Sequence, residues 1–116
     1  MGEMKLAAAE ARFAALVWDA APLTTSELVH LCEAEFGWKR TTTYTVLRRL
    51  CDRGLFRSEN GTVTVLVSRE EYDSACSQEF VSESFHGSLP AFIAAFARRQ
   101  TLTDAEIEEI RRIIEK

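Results

Sequence analysis

The dipeptide Asn60-Gly61 is the feature that most narrows what this chain can become. Both residues accept positive φ at little cost, which a two-residue hairpin turn requires. They sit between Leu-Phe-Arg-Ser-Glu and Thr-Val-Thr-Val-Leu-Val. Thr62, Thr64 and Leu66 alternate with Val63, Val65 and Val67. This predicts two short antiparallel strands, a small wing to be packed on whatever surrounds it.

What surrounds it is helical. Residues 5 to 18 carry Leu6, Ala9, Phe13, Leu16 and Val17 at three- and four-residue spacing in an alanine-rich stretch. Trp18 closes this first helix, and Ala-Ala-Pro-Leu at 20 to 23 breaks the pattern. Thr24 with Glu27 forms a capping box that opens a second helix at 25 to 35, with Leu28, Leu31 and Cys32 turned inward and Gly37 as its end. A third helix spans 40 to 53, with Thr43, Val46, Leu47 and Leu50 on one face and Gly54 as its stop. After the hairpin, Ser68 and Glu71 form a second capping box, and Tyr72, Cys76 and Phe80 make an i, i+4, i+8 stripe with Ala75 and Phe85 nearby. Gly87-Ser88 ends that helix. Residues 89 to 100 follow with Phe92, Ile93 and Phe96 on one side. Thr103 and Glu106 then box the start of a last helix at 104 to 116, striped by Ile107, Ile110, Ile113 and Ile114.

Three helices and a hairpin, with a short turn between the second and third helix, make a winged helix-turn-helix. The fold class expected is therefore mainly α with a small β-hairpin wing. Residues 1–67 are the winged helix-turn-helix and residues 68–116 a helical dimerisation region.

Composition fits one ordinary globular chain: 47% hydrophobic and 28% charged, with five Gly and two Pro. No apolar run approaches the ~18 residues of a membrane span, and Met-Gly-Glu-Met-Lys does not read as a signal peptide. Cys32, Cys51 and Cys76 are scattered, without the paired spacing of a disulfide framework or zinc site. Three reduced thiols in a cytoplasmic protein is the expectation, with no membrane association, metal or cofactor. A redox-sensing role would need an exposed cysteine of lowered pKa.

The net charge of -4 argues against a polyanion partner until it is divided along the chain. Between residues 37 and 57 stand Lys39, Arg40, Arg48, Arg49, Arg53 and Arg57 against Asp52 alone, a local balance of +5. The whole deficit lies in residues 68 to 116. A basic stripe within an acidic chain marks a local polyanion site. The outer face of the third helix carries Thr41, Thr45, Arg48 and Asp52, flanked by Thr42, Tyr44 and Arg49. Short hydroxyl side chains at a helix N-terminus suit phosphate and base-edge contacts.

These residues point to double-stranded DNA. Thr42, Tyr44, Thr45 and Arg48 are expected to approach base edges, and Lys39, Arg40, Thr41, Arg49, Arg53 and Arg57 to hold phosphates. Two alternatives stand beside this. Arg49 could be the structural partner of an acidic residue, and Tyr44 a partly buried packing residue. In the tail, Tyr72, Phe80, Phe85, Phe92, Ile93, Phe96, Ile107, Ile110, Ile113 and Ile114 are more apolar groups than short helices hide alone. A second copy would cover them and set two recognition helices on successive major grooves of a palindromic operator. The alternative is that the tail folds back on its own winged domain. A winged-helix module binding a protein instead of DNA is the competing function. An enzyme is not expected: His30 and His86 stand alone, with no nucleophile–base pair and no Gly-rich phosphate loop.

The ordered set resembles the penicillinase-repressor family: Glu10, Leu16-Val17-Trp18, Thr24-Thr25 with Glu27-Leu28, Trp38, Thr42-x-x-Thr45, Arg49-Leu50, Gly54-Leu55, the Asn-Gly wing, Ser68-x-x-Glu71-Tyr72, Phe85-x-Gly87-Ser88 and Leu102-Thr103-x-x-Glu106-Ile107. The resemblance covers nearly the whole chain. It implies a homodimeric winged-helix repressor that binds inverted repeats through helix three and dimerises through its C-terminal helices. Thr42, Thr45 and Arg49 match the family's recognition helix, and Gly54 its helix stop. Lys39 stands where a capping Ser is usual and Tyr44 where a basic residue is common. Val65 and Leu66 occupy the stretch of the family's wing tyrosine, so an operator differing from the TACA/TGTA-type core is expected. The resemblance also implies a sensor-protease partner that relieves repression. The family's Asn-Phe cleavage bond reads Ala95-Phe96 here, which argues against cleavage by the same protease type. The copper-responsive branch carries C-terminal C-x-C motifs, and this tail, ending Glu115-Lys116, has none.

Overall fold

The computed structural model describes residues 5–115. The elements run α1 (Ala8–Ala20), β1 (Leu23–Thr24), α2 (Thr25–Phe36), α3 (Arg40–Asp52), β2 (Phe56–Glu59), β3 (Thr62–Val65), α4 (Arg69–Ser84), α5 (Leu89–Arg99) and α6 (Asp104–Ile114). Among the described residues no helix is long and apolar enough to cross a membrane. The chain divides into two compact units between Ser77 and Gln78.

The first unit is the winged helix-turn-helix. Its core is built from Phe13, Ala14 and Val17 of α1, Leu28 and Cys32 of α2, Val46, Leu47 and Leu50 of α3, and Leu55, Phe56 and Val63 around the wing. The wing forms as its turn chemistry dictates. Glu59 pairs with Thr62, leaving Asn60 and Gly61 as the two loop residues, at φ 53° and 75°. Positive φ at both positions is the type I′ geometry whose twist matches the strands it joins. The paired strand ends at Val65, two residues short of the alternation, because the N–H groups of Leu66 and Val67 both turn to Leu55 O. A third strand was not foreseen. Leu23 and Thr24 pair with Val63 and Thr62, giving the order β1-β3-β2. Two residues between Pro22 and a helix cap are too few to show a period.

The three capping boxes form. Thr24, Ser68 and Thr103 each accept from the backbone N–H three residues on, and Glu27, Glu71 and Glu106 accept from the capping residue's own N–H, at 2.8–3.1 Å. α3 stops where Gly54 takes φ 86° and Leu55 N–H bonds Leu50 O.

The inward face of α1 differs from the expected stripe. Leu6 precedes the helix, Ala9 is exposed, and Glu10 takes the buried position with Phe13, Ala14 and Val17. A carboxylate tolerates this site because it is fully engaged. Oε1 accepts from Ala7 N–H at 3.1 Å, and Oε2 lies 3.1 Å from Arg49 and Oε1 3.6 Å from Arg53. The Ala7 N–H bond and the Arg49 guanidinium hold the Glu10 carboxyl below its ordinary value of 4.5. On α2, Leu31 was expected inward and is 37% exposed, since Leu28 and Cys32 alone define the face toward the core.

Trp18 ties three segments together. Its Nε1–H donates to Val67 O at 2.9 Å, and its ring lies 5.9 Å from Phe56 and 5.5 Å from Tyr72. Tyr72 Oη accepts from Leu6 N–H at 2.9 Å, while Arg69 reaches Asp19 and Ala15 O. These contacts hold the first turns of α4 in the winged unit. They also correct the reading of Tyr72. Set among the apolar tail residues, it instead packs on Trp18 in its own chain, where burial pushes its phenol up to about 12, Cys76 adding to the rise.

The second unit contains α5, α6 and the rest of α4. Phe80, Phe85, Phe92 and Phe96 form a chain of ring contacts at 5.5–6.4 Å. None of the described residues of α4, α5 or α6 is buried.

The Glu10 carboxylate gives a test. Its depressed pKa means that its contribution is complete above the unfolded value and is lost as pH falls through the folded one. Glu10→Gln keeps the bond from Ala7 and removes the charge, and we expect it to cost about 1 to 2 kcal/mol at pH 7, the Arg49 partner being half exposed. Thermal unfolding should show this gap shrinking toward pH 3, and an unchanged gap there would contradict the assignment.

Candidate nucleic-acid interface

α3 places its side chains in two classes. Thr43, Val46, Leu47 and Leu50 are buried, and Thr41, Thr42, Tyr44, Thr45, Arg48 and Arg49 are exposed. At ~100° per residue, positions 41, 45, 48 and 52 follow one line along the outer surface. A shallow trough of about 660 Å³ runs over this line, walled by Arg40, Thr41, Tyr44, Thr45, Arg48, Arg49 and Asp52.

The N-terminal end of α3 is electrostatically unusual. Lys39 is its cap residue and makes no side-chain cap bond, Arg40 follows, and the first turn contains no acidic residue. Cations at the positive end of a helix dipole oppose stability and raise the local potential that an anion meets. Lys39, Arg48 and Arg57 form no ion pair among the described residues, and Arg57 is exposed on β2.

The remaining basic residues are partly committed. Arg49 is the partner of an acidic residue, Glu10, with its side chain still 54% exposed. Arg53 turns toward α1, where it meets Glu10 at 3.6 Å and donates to Lys5 O at 3.3 Å. It is thus set apart from the trough, unlike the phosphate-facing position expected of it. Glu10 was not foreseen as a site residue, and 39 positions separate it from Arg49, so no local pattern could signal the pair.

Among the hydroxyls, Thr45 Oγ1 donates to Thr41 O at 2.9 Å, which leaves its acceptor capacity unused on an exposed residue. Thr43 is buried, and its Oγ1 makes no hydrogen bond to nitrogen or oxygen; the nearby Cys32 thiol interacts with it. Tyr44 is neither free nor buried. The Thr25 hydroxyl, on the first turn of α2, holds the Tyr44 phenol below its ordinary range, with Arg40 adding to the effect. The Arg40 guanidinium lies over the Tyr44 ring at 5.6 Å. Thr25 was likewise not foreseen, because it is on another helix from Tyr44.

Burial pushes the Cys32 and Cys51 thiols up, which keeps both protonated and weakly nucleophilic near neutral pH. In the second unit a groove of about 380 Å³ lies between α5 and α6, lined by Phe92, Ile93, Phe96, Leu102, Ile110 and Ile113 with Glu106 and Glu109 at its edge. Phe80, Phe96, Ile107, Ile113 and Ile114 are all exposed. Phe85, Phe92, Ile93 and Ile110 are half-buried.

The chain has relatives over nearly its whole length. A family model described as penicillinase repressor matches residues 6–116. The chain is 25% identical over 112 residues to the penicillinase repressor of Bacillus licheniformis, covering 93% of this chain and 88% of that protein. It is 22% identical over 116 residues to the methicillin resistance regulatory protein MecI of Staphylococcus aureus strain Mu50, covering 97% of this chain and 94% of that protein. The match takes in the winged unit and the helical tail together, and with it the chain belongs to the penicillinase repressor family.

Proposed function

We propose that this chain is a sequence-specific transcriptional repressor that binds an inverted-repeat DNA operator as a homodimer. The observation that carries the reading is the division of α3 into a buried apolar face and an exposed face of hydroxyls and arginines. In this mechanism α3 enters the major groove. Thr42, Thr45 and Arg48 face base edges, Arg48 having the reach and fork to bond a guanine at O6 and N7. Lys39, Arg40, Thr41, Arg49 and Arg57 meet phosphates and set the register. Arg53 and Tyr44 are left out of direct contact by the partners they already have.

The dimer is supported by the second unit, whose aromatic and isoleucine side chains stay exposed in a single chain. A second copy covering the α5–α6 groove would remove that surface from water at roughly 25 cal/mol per Å². It would also space two α3 helices for the halves of a palindrome. Relief of repression by a protease at Ala95-Phe96 would first require opening α5, since this bond lies within it.

Selection of bound duplexes from a random pool should return a palindromic site. Against that site, Arg48→Ala should lose about 1 to 3 kcal/mol of specific affinity and relax one base position, with little change on scrambled DNA. Equal losses on both duplexes would move Arg48 to the phosphate class.

A chain ending at Ser77 retains Tyr72 and the contacts of Trp18. It should sediment as a folded monomer with much weakened operator binding, and a dimer in that experiment would remove the role given to the second unit.

A further inference from the structure

Arg40 lines two adjoining clefts. One is the trough along α3, and the other is a cleft of about 290 Å³ between α2 and α3, where it stands with Ser26, His30, Glu33 and Lys39. A long side chain at a helix start, with no ion pair among the described residues, has no intrinsic reason to choose one cleft. Its guanidinium lies on the Tyr44 ring, one turn further along α3, and so on the trough side. Tyr44 and Arg40 both line the trough, so the ring forms an aromatic platform beneath a cation at its rim.

We propose that Tyr44 is a positioning residue for DNA binding, whose ring holds the Arg40 guanidinium at the trough to meet a backbone phosphate. This rests on the reading of α3 as the DNA-binding helix. It assigns Tyr44 a role through Arg40, in place of base contact. A guanidinium stacked on a ring keeps its outward N–H donors free for a phosphate, and stacking restricts the rotamers that would otherwise be ordered on binding.

The experiment compares full-length wild type, Arg40→Ala, Tyr44→Ala, Tyr44→Phe and the Arg40→Ala/Tyr44→Ala pair on the selected operator and on a scrambled duplex, across a salt series. Arg40→Ala should weaken binding to both duplexes by about 5- to 10-fold at 0.1 M salt and reduce the salt slope by about 0.9, the value of one phosphate contact. Tyr44→Ala should follow it in direction on both duplexes, by about 2- to 5-fold. In the Arg40→Ala background, Tyr44→Ala should add no further loss. Tyr44→Phe, which keeps the platform, should stay closer to wild type than Tyr44→Ala. The assignment is overturned if Tyr44→Ala weakens the operator alone with the salt slope unchanged, which is the signature of a base contact. Losses that simply multiply in the double variant overturn it too. Wild-type chain binding no duplex overturns the DNA-binding reading and this assignment with it.

Discussion

A single buried carboxylate decides how the outer face of α3 is presented. Glu10 sits on α1 at 8% exposure, between its own helix start and two guanidiniums of α3. Arg49 and Arg53 are one turn apart, so bonding both fixes the rotation of α3 about its axis as well as its distance from α1. With that rotation set, Thr41, Thr45 and Arg48 point away from the protein. The interaction also sorts the basic residues, drawing Arg53 inward and holding Arg49 half exposed, while Lys39 and Arg48 form no ion pair among the described residues.

Trp18 plays the corresponding part for the wing and the start of α4. One ring and one N–H join α1, Phe56 of β2, Val67 and Tyr72. Aromatic residues carry this duty well, because they bury a large apolar area while a polar edge still finds a partner. The winged unit therefore buries Trp18 with its one N–H group satisfied. The second unit does not bury its apolar groups, and that imbalance is the physical case for a second copy.

Much of the fold was legible because its signals are local. Capping boxes need two residues three apart, the hairpin needs Asn-Gly, and α3 needs a period of 3.6 and a glycine stop. The exposed face of α3 was legible for the same reason, since one helix carries it. What escaped were contacts between distant segments. Glu10 broke an apolar stripe, which a reading of periodicity had passed through Ala9. Tyr72 continued an apolar stripe in sequence and belonged to a different cluster in space. The stacking of the Arg40 guanidinium on the Tyr44 ring likewise needs the folded helix to be seen. β1 is two residues long and exists only because β3 is beside it.

The sequence by itself determined the helices and the hairpin, the basic and hydroxyl outer face of α3, and the apolar excess of the tail. These follow from spacing and composition within a single element. The tertiary structure alone decided which arginines of α3 meet Glu10 and which segments Trp18 joins. Those outcomes depend on which groups from remote parts of the chain come within hydrogen-bond distance, and buried charge and orphaned donors admit few solutions. A pairing such as Glu10 with Arg49 is set by packing three helices around one core, and no window along the chain contains it.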